Sequence, residues 1–100
     1  MLHLERPLVF LDLEATGTDP TEARILQIAL QRFVPTGDGA TLDREVDQLV
    51  DPETGVPAAV TELTGITTDD VRGQPAFNTL VDRLSPLLAD ADLAGYNAIA

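Results

Sequence analysis

The chain contains no cysteine and no lysine, and only one histidine among its 100 residues. Without cysteine there is no disulfide framework, no thiolate zinc site and no cysteine nucleophile. Without lysine there is neither a Walker A phosphate loop nor Schiff-base chemistry. Positive charge is scarce: six arginines stand against 17 acidic residues, for a formal net charge of −11. On charge alone this balance argues against a nucleic-acid partner, because phosphate binding is normally driven by basic patches. No apolar run approaches the length of about 18 residues that marks a membrane helix. The start Met1-Leu2-His3-Leu4-Glu5-Arg6-Pro7 lacks the positive region and apolar core of a secretory signal. The expectation is a soluble, cytoplasmic protein with no membrane partner. His3 precedes the first strand and has no partner group to tune it, so it reads as solvated.

What is present is enough apolar material for a core. Hydrophobic residues make up 44% of the chain, ordinary for a globular domain and too many for a disordered acidic tail. The acid is spread evenly, with nine acidic and four basic residues in 1–50 and eight and two in 51–100. No linker, repeat or low-complexity tract divides the sequence.

The clearest local signal is Leu8-Val9-Phe10-Leu11, after Pro7 and running into Asp12-Leu13-Glu14. A short apolar run bounded by turn residues, here Gly17 and Asp19-Pro20, marks a buried central strand. The segment Ile25 to Val34 fits either a strand or a helix by periodicity. Its bounding turns favour a strand, joined through Pro35-Thr36-Gly37-Asp38-Gly39 as a hairpin to Thr41–Val50, where Leu42, Val46 and Val50 share one face. Pro57 and Gly65 bracket a two-turn helix over Pro57–Thr64, and Thr67-Thr68-Asp69-Asp70 is a second capping signal. After Pro75 the residues Phe77, Leu80, Val81, Leu84, Leu87 and Leu88 keep a helical stripe, which Pro86 should kink or divide. Leu93-Ala94-Gly95-Tyr96 begins a further strand. The order strand, strand, strand, helices, strand is an α/β or α+β pattern. A buried first strand needs two neighbours, of which the hairpin supplies one and the segment after Asp92 the other.

Asp12 and Glu14 are two apart on a strand, so both carboxylates project from one face while Leu11 and Leu13 point to the other. Two acids so placed repel unless solvated or neutralised, and hard oxygen ligands at this spacing suit Mg²⁺ or Mn²⁺. An EF-hand loop starting at Asp12 fails, because its twelfth position is Ala23 and a strand precedes it. A haloacid-dehalogenase-like phosphatase would place Asp12, Glu14 and Thr16 in register with Asp-x-Asp-x-Thr. Glutamate replaces its second aspartate, and the lysine that family uses is absent. This remains the alternative enzyme.

A wider pattern takes in nearly the whole chain. Phe10-Leu11-Asp12-Leu13-Glu14-Ala15-Thr16-Gly17, the strand at Ile25–Val34, Leu63-Thr64-Gly65-Ile66-Thr67, the long helix and Gly95-Tyr96-Asn97-Ala98 follow in that order. Together they resemble the DEDD-type 3'-5' exonucleases, the group containing bacterial proofreading exonucleases, over residues 8 to 98. The resemblance implies an α/β fold: a ribonuclease H-like mixed sheet with flanking helices, truncated after the start of the fourth strand. Residues 1–100 would be the N-terminal portion of a single exonuclease domain. Asp12 and Glu14 would be the first two of four acidic ligands for two Mg²⁺ or Mn²⁺ ions, and the catalytic carboxylates of this stretch. Thr16 and Gly17 would approach the terminal nucleotide, Leu63 and Thr64 would lie against its base, and Asn97 would belong to the second motif. Leu63 and Thr64 can equally be a helix end packing on the core. The implied partners are the 3' end of a DNA or RNA and a polymerase or helicase of replication or repair.

The departures matter too. The second motif stops at Ala98-Ile99-Ala100, before the aspartate that should follow, and the third motif with its general base and last aspartate is not in this stretch. The isolated chain is therefore expected to be inactive, and self-association is expected through an unpaired edge of the first strand. A non-catalytic module retaining the fold is the remaining alternative.

Overall fold

The alternation along the first strand sets the layers of the molecule. In the computed structural model, which describes residues 5–19 and 21–99 and side chains as far as Gly95, β1 spans Leu8–Ala15. His3 and Pro20 lie outside the described residues. Val9 is fully buried, and Leu11 and Leu13 pack beside it against the core. Phe10 and Asp12, on the opposite face, are exposed. The strands β2 (Ile25–Thr36), β3 (Gly39–Leu49) and β4 (Asp92–Ile99) complete a sheet of order β3-β2-β1-β4. The β1–β2 and β2–β3 pairs are antiparallel, and β4 runs parallel to β1.

The helices α1 (Ala58–Thr64), α2 (Thr68–Val71) and α3 (Phe77–Leu88) follow the hairpin. Two apolar clusters form. Val9, Ile28, Leu30 and Val50 bury themselves with Leu80 and Leu84 of α3, while Leu26 joins Val60 and Val71 from the shorter helices and Ile66 from the connection between them. Local chemistry explains where the helices begin and end. Pro57 lies just outside α1 with an extended ψ of 144° and accepts from the amides of Val60 and Thr61. Gly65 ends α1 in the left-handed region at φ 79°, where glycine avoids a Cβ clash. Thr67 and Asp70 exchange hydrogen bonds as a capping box for α2.

Three expectations from the sequence are corrected. First, β1 has no unpaired edge: β2 and β4 flank it, and the outer strands are β3 and β4. The crossover through α3 returns the chain alongside β1, so self-association through an open first strand has no structural basis. Second, Leu42 does not share a face with Val46 and Val50. The β2–β3 register slips so that Arg32 faces Arg44 and Phe33 faces Leu42, leaving Asp43 as an extra residue on β3. The bulge turns Leu42 to the helix-free face, where it is 45% exposed, while Val46 packs on the core and Val50 is buried. Third, Pro86 does not divide α3. It sits in the last turn, close to where the helix ends in any case, and the helix continues to Leu88. Phe77 and Val81 form the exposed margins of the stripe rather than its buried centre.

Arg32 ties these pieces together. Its Nε donates to Asp43 Oδ2 at 3.1 Å, and its Nη1 donates to the Leu87 carbonyl at 2.8 Å and to Asp90 Oδ1 at 3.0 Å. One guanidinium therefore links β2, the β3 bulge and the C-terminal end of α3, where a cation also suits the helix dipole. Asp90 is held below the ordinary carboxylate value, chiefly by the Arg32 hydrogen bond.

The parallel β1–β4 pair depends on Gly95, opposite Leu11. A Cβ at position 95 would overlap the Leu11 carbonyl oxygen and come within 3.1 Å of its amide nitrogen. Gly95→Ala should therefore cost about 3 kcal/mol, at the upper end of ordinary overpacking. The expected result is a lowered denaturation midpoint with hydrogen-exchange protection lost first along β1 and β4. An unchanged midpoint would show that β4 is not seated against β1 in this register.

Candidate active site

Asp12 and Glu14 leave β1 on the face opposite the core. Asp12 is exposed and Glu14 half-buried. Asp12 lies opposite Ala29 on one side and the backbone of Tyr96 on the other; Glu14 lies opposite Gln27 and the backbone of Ala98. The pair thus stands on the central strand, with a small residue beside Asp12. Glu14 is raised above its ordinary value of 4.5, first by burial and then by the negative charge of Asp12.

Immediately after Glu14 the β1–β2 register shifts, so that Ala15 faces Ile25. Thr16 then closes the connection to β2: its amide donates to the Arg24 carbonyl at 2.8 Å, and its Oγ1 accepts from the Arg24 amide at 2.9 Å. Within the loop so closed, Asp19 accepts from the amide and hydroxyl of Thr21, which lowers its carboxyl below the ordinary value.

Thr16 lines two adjoining depressions. One, of about 350 Å³, continues over Gly17, Asp19, Thr54 and Gly55; the other, of about 540 Å³, is bounded by Pro57, Ala59, Glu62 and Leu63. A Cβ at Gly17 would meet nothing within 4 Å, so the protein's own packing does not require glycine there. Leu63 is 70% exposed, whereas Thr64 is committed to the end of α1: its Oγ1 donates to the Val60 carbonyl at 2.9 Å and accepts from the Ile66 amide at 3.1 Å. Of the two neighbouring residues, only Leu63 faces the depression shared with Thr16. The backbone of Asn97 lies in β4 opposite Leu13; its side chain is outside the described residues. Arg24 and Pro57 are the contributors that sequence reasoning missed. Their role is carried by backbone hydrogen bonds and shape, which leave little trace in residue type.

Among the described residues no group of three or more histidine or acidic side chains converges on one point. The donor set is a pair of carboxylates on one open face. That fits Mg²⁺ or Mn²⁺, which are commonly held by one or two carboxylates together with water and phosphate oxygens. Burial is the larger cause of the raised Glu14 and the charge of Asp12 the smaller, and a bound cation would offset the second of these.

The exonuclease family model (RNase_T) matches residues 9–100. The chain belongs to the exonuclease family. This agrees with the resemblance to the DEDD-type 3'-5' exonucleases and separates the nuclease reading from the phosphatase alternative. Among curated relatives, the PolC-type DNA polymerase III of Halalkalibacterium halodurans is 30% identical over 95 residues, covering 95% of this chain and 6% of the relative. The DNA polymerase III subunit epsilon of Aquifex aeolicus is 28% identical over 93 residues, covering 93% of this chain and 44% of the relative. The chain thus spans less than half the length of these relatives. Among solved structures, the nuclease domain of 3'hExo, a DEDDh family member bound to rAMP, superposes with a TM-score of 0.74 at 18% identity, covering 94% of this chain and 54% of the other. Exonuclease I of E. coli with a dT13 oligonucleotide gives 0.74 at 21% identity, covering 92% and 20%. The fold is the ribonuclease H-like mixed α/β sheet.

The raised Glu14 sets a pH dependence. From pH 4.5 upward to its folded value, the native chain keeps a proton that the unfolded chain has lost. Stability therefore falls as pH rises through that window. Glu14→Gln should flatten this segment of a plot of urea midpoint against pH and raise the midpoint at neutral pH. A variant whose profile coincides with the parent would show that Glu14 is not strained in the native state.

Proposed function

We propose that this stretch is the metal- and 3'-end-binding half of a 3'-5' exonuclease domain, hydrolysing terminal phosphodiester bonds of DNA or RNA. The observation that carries the reading is that Asp12 and Glu14 leave one face of β1 just ahead of Thr16 in the chain, and Thr16 lines a depression with Leu63. Family membership supports the reaction class, and the sequence relatives support an association with a replicative polymerase. The chain's own residues would divide the work as follows.

Asp12 and Glu14 would hold the divalent cations. When bound, these would neutralise phosphate charge and supply an activated water, as in two-metal nucleases. Thr16 Oγ1 already accepts the Arg24 amide, so its single proton is free to be donated outward to a nucleotide oxygen. Gly17 leaves room for close approach of the chain end. Leu63 offers an apolar wall to the terminal base, and burying it there would recover the cost of holding a leucine in water. Asn97 would stand on the neighbouring strand, on the side of β1 away from β2. Thr64 serves by fixing the end of α1 and hence the position of Leu63.

A pair of carboxylates is half of the four expected, and among the described residues no histidine or tyrosine side chain stands beside them. Turnover by residues 1–100 alone should therefore be lower by orders of magnitude than that of a complete site. The test separates binding from turnover. A fluorescent single-stranded oligonucleotide with a free 3' hydroxyl should bind the 100-residue chain in Mn²⁺, and binding should weaken about tenfold, or about 1.4 kcal/mol, in Asp12→Asn and in Leu63→Ser. A circular oligonucleotide should bind no better than the Asp12→Asn chain does. Binding that ignores the 3' end, or that survives without metal and without Asp12, would overturn the reading. Rapid turnover would overturn the half-site.

A further inference from the structure

We propose that Asp51 is a positioning residue for the 3' end, acting through residues 52–57, which it suspends beside Thr16 and Gly17. The inference rests on the nuclease reading of that depression and assigns how its second wall is held. Thr54, Gly55 and Pro57 line the depression of about 350 Å³ together with Thr16 and Gly17. They belong to the link between β3 and α1, which has no helix or strand of its own to fix it.

Side-chain acceptors fix it instead. Val50 and Pro52 are buried on either side of Asp51, and the Val50 amide donates to the Leu26 carbonyl at 2.8 Å. Asp51 itself is seated by its backbone: its amide donates to the Pro75 carbonyl at 3.0 Å, and it forms a parallel bridge with Ala76. So held, its carboxylate accepts from the Glu53 amide at 2.8 Å through Oδ1 and from the Gly73 amide at 3.3 Å through Oδ2. One oxygen serves the wall of the depression, and the other serves the connection between α2 and α3. Further along, the Val56 amide donates to Thr68 Oγ1 at 3.0 Å. Both ends of the wall therefore hang from side chains.

The backbone of Glu53 shows that these ties act against a local preference. At φ 61° it is the one non-glycine residue with a positive φ among the described residues, in a region where Cβ crowding disfavours L side chains. Such a conformation persists where the surroundings over-determine it. Here the Asp51 carboxylate does so, by accepting from the amide two residues on. Without that acceptor Glu53 would relax toward negative φ, and Thr54 and Gly55, which follow it, would swing away from Thr16. None of the Asp51 hydrogen bonds just described reaches β1, so the carboxylates of Asp12 and Glu14 would keep their places.

The experiment compares the 100-residue chain with Asp51→Ala and Asp51→Asn, using linear and circular fluorescent oligonucleotides in Mn²⁺. Asparagine keeps an oxygen for the Glu53 amide but turns N–H donors toward the Gly73 amide. It therefore cuts the tie to the α2–α3 connection and spares the wall. The expected result is a lowered urea midpoint in both variants and an unchanged Mn²⁺ affinity in both, read from the paramagnetic resonance of the free ion. Affinity for the linear oligonucleotide should fall about fivefold in Asp51→Ala alone. Should Asp51→Ala fail to fold, Thr68→Val, which removes the acceptor at the other end of the wall, should give the same loss, and no loss there would overturn the inference. Equal losses in Asp51→Ala and Asp51→Asn, no loss in Asp51→Ala, or a parallel fall in Mn²⁺ affinity would overturn it while leaving the nuclease reading intact. A parent chain that binds linear and circular oligonucleotides alike would overturn both.

Discussion

The period of two along β1, held at the centre of the sheet, is the constraint on which the rest depends. Because β2 and β4 flank β1 on both sides, its backbone is fixed by two ladders and its side chains have only two directions. Val9, Leu11 and Leu13 take the core, which commits Asp12 and Glu14 to the opposite face. The same burial that stabilises the strand thus holds two like charges side by side. A site built on a central strand is positioned more firmly than one built on loops. Glu14 is raised first by its burial and then by the charge of Asp12 beside it.

Around that strand the connections do the positioning. Thr16 and Arg24 exchange backbone and hydroxyl hydrogen bonds, so the chain leaves β1 in one direction and brings the following loop beside α1. Gly65 and Thr64 together stop α1 where Leu63 remains in solvent facing Thr16. At the other end of the sheet Arg32, whose side chain is only 13% exposed, fastens the C-terminus of α3 and the turn before β4. Since β4 begins two residues after Asp90, the guanidinium also sets where the parallel strand starts. The acids of the site and the anchor of the fold are therefore connected through β1's own neighbours.

Much of this was legible in residue order. The apolar run at Leu8, the turn residues around the hairpin, the Pro57 to Gly65 bracket and the capping box at Thr67 are local signals, and each element forms within a residue or two of where its punctuation lies. The carboxylate pair was legible for the same reason, since its common face follows from spacing alone. What was not legible depends on contacts distant in sequence. The Asp43 bulge answers to Arg32 and Asp90, and nothing near Leu42 announces that it will face away from Val46. Pro86 reads as a breaker, yet its place in a last turn is decided by Leu80 and Leu84 already packed on the sheet. The separation of Leu63 from Thr64 required knowing which hydroxyl the helix end would consume.

The net charge acquires a different meaning once it is divided by face. As a whole-chain number it predicts poor affinity for phosphate. In the fold, its effect depends on where neutralisation is available. Arg32 offsets Asp43 and Asp90 on the helix side, leaving Asp12, Glu14, Glu45 and Asp47 on a face with no arginine. The local charge there is negative and would suit a hydrated metal at Asp12 and Glu14. Divalent cations would reverse the local sign if bound there, and a phosphate end would then find an attractive site in a protein that otherwise repels it. An acidic surface with a cation-dependent centre would admit nucleic acid where metal is held and disfavour it elsewhere. Discrimination of that kind does not require the basic groove the sequence lacks.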